Sequence, residues 1–441
     1  MTTADRTVTN QRQALKKHRK LMVRANAGVA FEYYDYAVFA VFSPFFASQF
    51  FVRGDNLSAV LDTLLVFAVG FVSRPIGSIL SGRLSDRFGR TPLMMAGLAL
   101  SSLGSFAIAL TPTHRSIGIA AVVILVISRL AQGFGHGVEQ VSAVTYVAEI
   151  ADRKRRAFQT SFYQLSLSSG LVLAQLLGVV LTTVFTDDQL REWVWRIPFL
   201  LGGAFALLVV VLRRTMVEPE SFSDSRAQAA QEDAGYWSTI WKYRGRVGVL
   251  MLLWPAVALG YYTFAVGYPQ FAITVVGADS NAAFWAGFIA LLLYLITLPF
   301  WGRLADAKGR RFNYTLALGG SIVLAIPLQM LLGPSFWQLV VPMGVGLVLF
   351  GCLTSTETAM NTELLPNKVR AQVMSIPASL AAVLFGGTAP YLRTWMDKNV
   401  GVWTFTGYVI VLFVVALATV RRLPETRGRD LAEDGYPVRK R

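Results

Sequence analysis

Charge is what this 441-residue chain has least of. Only 15% of its residues are Asp, Glu, Lys or Arg, against about 25% in soluble chains. Acidic residues are scarcer still, 26 against 41 basic ones. One cysteine, Cys352, rules out an intramolecular disulfide, and it lies in an apolar stretch where packing is role enough. With three histidines besides, the chain has no Cys/His cluster at metal-ligand spacing. The phosphate-cradling pattern Gly-x4-Gly-Lys-Ser/Thr is missing, which argues against ATP as an energy source. Nor is there a credible nucleophile–base constellation, so the chain does not read as an enzyme. What it does have is apolar sequence: 54% hydrophobic residues and a mean hydropathy of +0.49.

That apolar sequence falls into twelve segments, 22–51, 57–80, 92–111, 117–148, 157–185, 193–212, 246–275, 282–301, 312–333, 336–362, 369–393 and 401–420. They are called segments 1 to 12 below. Most reach the roughly 20 residues a helix needs to cross a bilayer. The first 24 residues are polar and basic and the next apolar run is a full span, so no cleaved signal is expected. With the N-terminus inside, 33 of the 41 Lys and Arg fall in cytoplasmic segments, 6 in the opposite loops and 2, Arg74 and Arg129, within spans. That asymmetry sets both termini in the cytoplasm. It also explains the +15 net charge without nucleic acid, since basic residues spread along a membrane face hold topology and touch anionic lipid.

The chain also repeats itself. Gly82-Arg-Leu-Ser-Asp86-Arg87-Phe-Gly89-Arg90 and Gly302-Arg-Leu-Ala-Asp306-Ala-Lys308-Gly309-Arg310 share the spacing Gly-x3-Asp-x2-Gly-Arg, 220 positions apart. A second pair, Glu149 with Arg156 and Glu363 with Arg370, shares Glu-x6-Arg-Ala at a displacement of 214. Two nearly equal displacements imply two homologous halves, the layout of a secondary transporter. The expected architecture is an all-α membrane protein, with a tail 1–21, a six-helix bundle 22–212, a linker 213–245, a second six-helix bundle 246–420 and a tail 421–441. Each copy of the longer motif is read as a short charged loop between two spans.

The doubled Gly-x3-Asp-x2-Gly-Arg motif resembles the signature of the major facilitator superfamily. Within it, five segments resemble the metabolite:proton symporters, a family that includes carriers of citrate, 2-oxoglutarate, shikimate and proline/betaine. They are Phe31-Glu32-Tyr33-Tyr34-Asp35-Tyr36, Arg74-Pro75-Ile-Gly77, Arg129-Leu-Ala-Gln132-Gly133 with Glu139, Glu363-Leu-Leu-Pro366, and Phe385-Gly386-Gly387-Thr388-Ala389-Pro390. Members usually carry Trp where Tyr33 stands, and Gly-Gly before the segment-4 Glu where this chain has Gly137-Val138. The resemblance implies a twelve-span inner-membrane carrier that takes up a small organic acid with protons. It further implies that Asp86, Arg87 and Arg90 act with Glu149 in closing the cytoplasmic side, and by the repeat Asp306 and Arg310 with Glu363 and Arg370.

Ionisable residues inside a membrane cost roughly 2.5–3.5 kcal/mol each on insertion scales and are functional candidates by default. Segment 1 holds Glu32 and Asp35 on neighbouring parts of one helix face. Segment 4 holds Glu139 and a polar stripe of Arg129, Gln132 and His136. Segment 5 adds Gln164, Ser168 and Gln175, segment 7 adds Tyr261, and segment 10 adds Glu357 and Asn361. Such stripes should converge on a shared cavity near the midplane. Arg74, about 12 Å up its helix from Gly82, and Arg129 are the candidate carboxylate-binding guanidiniums, with Gln132, His136, Glu139, Gln164 and Tyr261 shaping the pocket. Asp35 resembles the segment-1 aspartate of proton-coupled sugar carriers and Arg129 its segment-4 arginine. That makes Asp35 the leading proton site, with Glu32 and Glu139 behind it.

Plainer readings stand beside these. Asp35 and Arg129 can be a purely structural pair, His136 a space-filler among glycines, and Arg87 and Arg90 simple positive-inside anchors. Gly133-Phe-Gly135-His-Gly137 is no dinucleotide loop, because no strand precedes it; its small residues let helices approach closely. Pro255, Gly260, Gly267 and Pro269 predict a bend in segment 7. The leading function is proton-coupled import of a mono- to tricarboxylate by a monomer, with the proton as coupling ion and no cofactor. The alternatives are a zwitterion symporter, a proton-antiport efflux pump and a non-transporting membrane sensor. Osmosensing members of the first kind carry a long C-terminal coiled coil, and residues 421–441 show no heptads; sensors of this ancestry tend to carry long soluble tails.

Overall fold

The computed structural model describes residues 29–431 apart from 32, 53–55, 89, 214–235 and 367–368. Among the described residues every regular element is a helix. Over those residues each apolar segment read from the sequence is helical, and most helices extend past the apolar run. Segments 2, 8 and 10, for example, become Asn56–Phe88, Ser280–Lys308 and Phe336–Glu363.

This extension corrects one expectation. The repeated motif is not a loop: Gly82–Phe88 and Gly302–Lys308 are the last two turns of long helices. In the second copy the chain breaks only at Gly309, whose φ of 107° suits glycine alone. Segment 9 then starts at once with Arg310–Leu331. The linker likewise ends in a short helix, Tyr236–Lys242, that presents Trp237 and Trp241 outward.

By length and composition nine of the described helices can cross a membrane, ten if the pair 187–194 and 196–211, bent by 48°, is one span. Segment 3 is the helix Arg90–Leu110, of which Met95–Leu110 counts among the shorter apolar helices.

The bend expected in segment 7 is present. Arg244–Gly260 gives way to a π-helical turn, Tyr261–Val266, and restarts at Tyr268 after Gly267. Another π turn, Ala382–Gly387, interrupts segment 11. A π turn inserts an extra residue and so rotates the side chains that follow. Here the two turns lie on helices that border the central cavity. In the first half of the sequence segment 4 packs on segments 2 and 3, and segment 3 on segment 6. In the second half segment 10 packs on 8 and 9, and segment 12 on 7 and 9. Segments 5 with 8 and 2 with 11 join the two groups.

Candidate functional site

Glycines set the depth at which the charged side chains sit. A Cβ on Gly133 would lie 1.7 Å from the Gly70 carbonyl oxygen, and one on Gly137 would lie 2.2 Å from that of Arg74. Neither position tolerates any side chain, so segments 2 and 4 touch backbone to backbone. This contact holds Arg74 and Arg129 against the same aromatic ring. The Arg74 guanidinium carbon is 4.0 Å from the Tyr36 ring centre, and that of Arg129 is 4.3 Å from it. Such cation–π contacts are strongest where water is excluded, and both arginines are buried.

Asp35 is buried at 1% exposure behind that ring. It does not pair directly with Arg129. Its carboxylate accepts hydrogen bonds from Ser101 at 2.9 Å, Gln132 at 3.2 Å and Ser105. Arg129 Nη1 instead donates to Gln132 Oε1 at 2.7 Å. Gln132 is thus the bridge, an acceptor for the guanidinium and a donor to the carboxylate. The other side of Asp35 is closed by segment 6, where a Cβ on Gly202 would fall 2.5 Å from Asp35 Oδ1. Arg129 Nε and Nη2 have no hydrogen-bond partner among the described residues. They lie against the rings of Tyr36, Phe39 and Phe67.

Beyond Tyr36 is a cavity of about 130 Å³. Arg74 and Tyr33 line it from the first half of the sequence together with Tyr163 and Gln164. Segment 7 contributes Trp254, Tyr261 and Tyr262; segment 10 contributes Thr354, Glu357, Thr358 and Asn361; segment 11 supplies an apolar floor that includes Met374 and Ala378. Gln164 is tied across the two halves, donating to Tyr294 Oη at 3.1 Å. Tyr294 in turn meets Thr354 Oγ1 at 2.8 Å. Of the residues expected to shape a pocket, Arg74, Gln164 and Tyr261 do line the cavity. Arg129, Gln132 and His136 do not. They lie behind Tyr36, with the His136 ring edge-on to Tyr36 at 4.9 Å and its Nε2 without a partner among the described residues. Glu32 and the side chain of Glu139 lie outside the described residues.

A second polar cluster occupies the basic ends of the helices. Glu363, fully buried, accepts from Arg156 at 2.8 Å, from Arg310 at 3.0 and 3.2 Å, and from the Thr426 hydroxyl at 2.8 Å. Asp306 pairs with Arg310 at 2.7 Å and accepts the backbone N–H groups of Ala157 and Phe158 at 3.1 and 2.8 Å. Those N–H groups open the segment-5 helix Arg156–Val184, where the helix dipole favours an anion. The motif of the second half therefore clamps a helix of the first. Arg370 braces the turn after segment 10 by donating to the carbonyls of Thr362 and Leu365. The side chains of Asp86, Arg87, Arg90 and Glu149, their expected counterparts, lie outside the described residues.

Two parts of this cluster were missed in the sequence reading. One is Arg156 as the partner of Glu363. The other is the stretch after segment 12, where Glu425 caps the N–H groups of Arg310 and Arg311 and Arg429 reaches the Glu363 carbonyl. The Glu-x6-Arg repeat carried a signal for the first; pairing across 207 positions is not visible in one sequence. Segments from both halves also meet at the opposite ends of the helices. There Phe42 and Phe45 lie against Phe284, and Asn281 donates to Thr182 and Thr183.

A bundle of apolar helices around a cavity that Arg74, Glu357 and Asn361 line, with a charged cluster at one end, defines a membrane carrier. The profile of the Major Facilitator Superfamily matches residues 26–376 and 256–439, and the chain belongs to that superfamily. It is 31% identical over 411 residues to an alpha-ketoglutarate permease of Escherichia coli, covering 91% of this chain and 93% of that one. It is 30% identical to a citrate-proton symporter of Salmonella typhi, over 86% and 88% of the two chains. A putative proline/betaine transporter of Staphylococcus aureus is 28% identical, over 88% and 84%. The fold matches that of the xylose–proton symporter XylE with a TM-score of 0.75 at 19% identity, over 94% of this chain and 98% of that structure. The chain is accordingly a multi-pass inner-membrane transporter and not an enzyme.

Proposed function

We propose that this transporter is a proton-coupled symporter that imports a small carboxylate-bearing metabolite by alternating access. In this reading twelve spans form bundles 22–212 and 246–420, joined by the linker 213–245, with both tails in the cytoplasm. The protein acts as a monomer, and the proton is its only coupling partner.

The observation that carries the reading is the Tyr36 ring held between two guanidiniums. Arg74 presents one to the cavity, where a carboxylate can take two parallel hydrogen bonds from it. Arg129 presents the other to the Gln132–Asp35 network. Filling the cavity moves Arg74, and Tyr36 transmits that movement to the environment of the Asp35 carboxylate. A carboxylate whose contact with a cation and with water changes between two states binds protons differently in the two, which is what coupling requires. The basic-end cluster around Glu363 and Asp306 then serves as the cytoplasmic gate, with Asp86, Arg87, Arg90 and Glu149 as its first-half counterpart.

The test is uptake of labelled monocarboxylates, 2-oxoglutarate and citrate into proteoliposomes with an acidic exterior. Accumulation should collapse with a protonophore. Arg74→Ala should weaken substrate binding by about 10- to 100-fold, the range for a lost hydrogen bond to a charged group. Undiminished affinity in Arg74→Ala would sink the assignment.

A further inference from the structure

The cavity holds a second charged group that the carboxylate reading does not use. Glu357 projects from segment 10 into the same space as Arg74, and it makes no hydrogen bond or ion pair with any described residue. One helical turn on, Asn361 is fully buried at the cavity wall, and both polar atoms of its amide lack partners among the described residues. A half-buried carboxylate and a fully buried amide, side by side and without partners among the described residues, are costly to leave unpaired. Aromatic side chains complete the wall. Tyr261 and Tyr262 open the π turn of segment 7, and Trp254 sits two turns before Tyr261.

We propose that Glu357 receives a positively charged group of the substrate, so that the transported carboxylate is a zwitterion. Its carboxylate binds Arg74 and its ammonium, primary to quaternary, binds Glu357 and the faces of the surrounding aromatic rings. The chemistry of the lining favours this over a simple acid. A di- or tricarboxylate would bring a second negative charge towards Glu357, whereas an ammonium supplies the counter-charge that the glutamate lacks. Tyr and Trp faces attract cations, and do so most strongly in a desolvated site. Arg74 and Glu357 lie on helices from different halves of the sequence. A ligand with both charges therefore bridges the halves, and a ligand with only one does not.

This inference rests on the reading of the cavity as the transport site, and its test separates the two. Matched pairs of solutes differ only in the ammonium: trimethylglycine against 3,3-dimethylbutanoate, and proline against cyclopentanecarboxylate. In wild-type proteoliposomes the zwitterion of at least one pair should compete for counterflow about tenfold or more better than its neutral-tailed twin, as one charge-assisted contact implies. Glu357→Gln should erase that preference, while Arg74→Ala weakens binding of both members by about 10- to 100-fold. If the wild type takes the plain carboxylates or 2-oxoglutarate as well as either zwitterion, the inference is overturned and carboxylate transport stands. The same holds if Glu357→Gln leaves the preference intact. If Arg74→Ala transports every solute normally, the transport site itself is misplaced and both readings fall. The wild-type competition needs no variant, so misfolding of Glu357→Gln cannot hide the result.

Discussion

Glu363→Gln removes one negative charge from a site that two guanidiniums share, and its effect can be worked through from the geometry. Arg156 and Arg310 have side chains only 4% and 1% exposed, and both point at Glu363. With glutamine there, Arg310 keeps the Asp306 carboxylate at 2.7 Å, while Arg156 is left with neutral acceptors alone, the glutamine amide oxygen and the Arg429 carbonyl at 2.9 Å. Removing one partner of a buried pair typically costs about 3–5 kcal/mol, because the remaining charge is left uncompensated. Arg156 comes from the first half of the sequence and Glu363 from the second, so the loss falls on the arrangement in which these ends are closed. Water entering an opened end would relieve it. At about 1.4 kcal/mol per factor of ten, even half the lower figure shifts the equilibrium roughly tenfold towards that open end. Thermal unfolding in detergent should show a lower Tm, and proteoliposome assays should show uphill uptake falling more than counterflow exchange. Wild-type uptake together with a wild-type Tm would refute the reasoning. A lowered Tm with normal uptake would show that the cluster only holds the fold together.

Asp35→Asn should keep substrate binding and counterflow exchange but lose pH-driven accumulation, and persistence of normal uphill transport would pass the proton role to Glu32. Gly133→Ala puts a carbon where the Gly70 carbonyl oxygen already is, so it should lose folded protein outright, by several kcal/mol. Gly407→Ala meets nothing within 4 Å and should leave stability unchanged or slightly raised; fluorescence-detected size exclusion of the two variants side by side checks the contrast.

Much of this protein is visible in one dimension. A membrane helix must satisfy its own backbone and bury itself in hydrocarbon, so length and hydropathy alone mark out helical segments. The repeated motif marks two copies of one unit for the same reason that any duplication does. The glycines at 133 and 137 also announced a close helix contact, and that contact is present. Even the segment-7 bend was legible in Pro255, Gly260, Gly267 and Pro269.

The site was legible only by residue type. The polar stripe of segment 4 identified Arg129, Gln132 and His136 as buried and important. It could not say that Tyr36 stands between them and the cavity, because that depends on how segment 1 is rotated against segment 4. Glu357 and Asn361 were visible as polar residues in an apolar run, with nothing to say that they face Arg74 across 283 positions of sequence. Asp35 and Arg129 were paired by type, and the structure interposes Gln132. Periodicity reports which residues share a face of one helix. Which faces meet, and so which charges share a cavity, is decided by backbone contacts such as Gly133 on Gly70 and by π turns such as Tyr261–Val266, which rotate the rest of a helix. Those are properties of packed helices, and a single helix does not contain them.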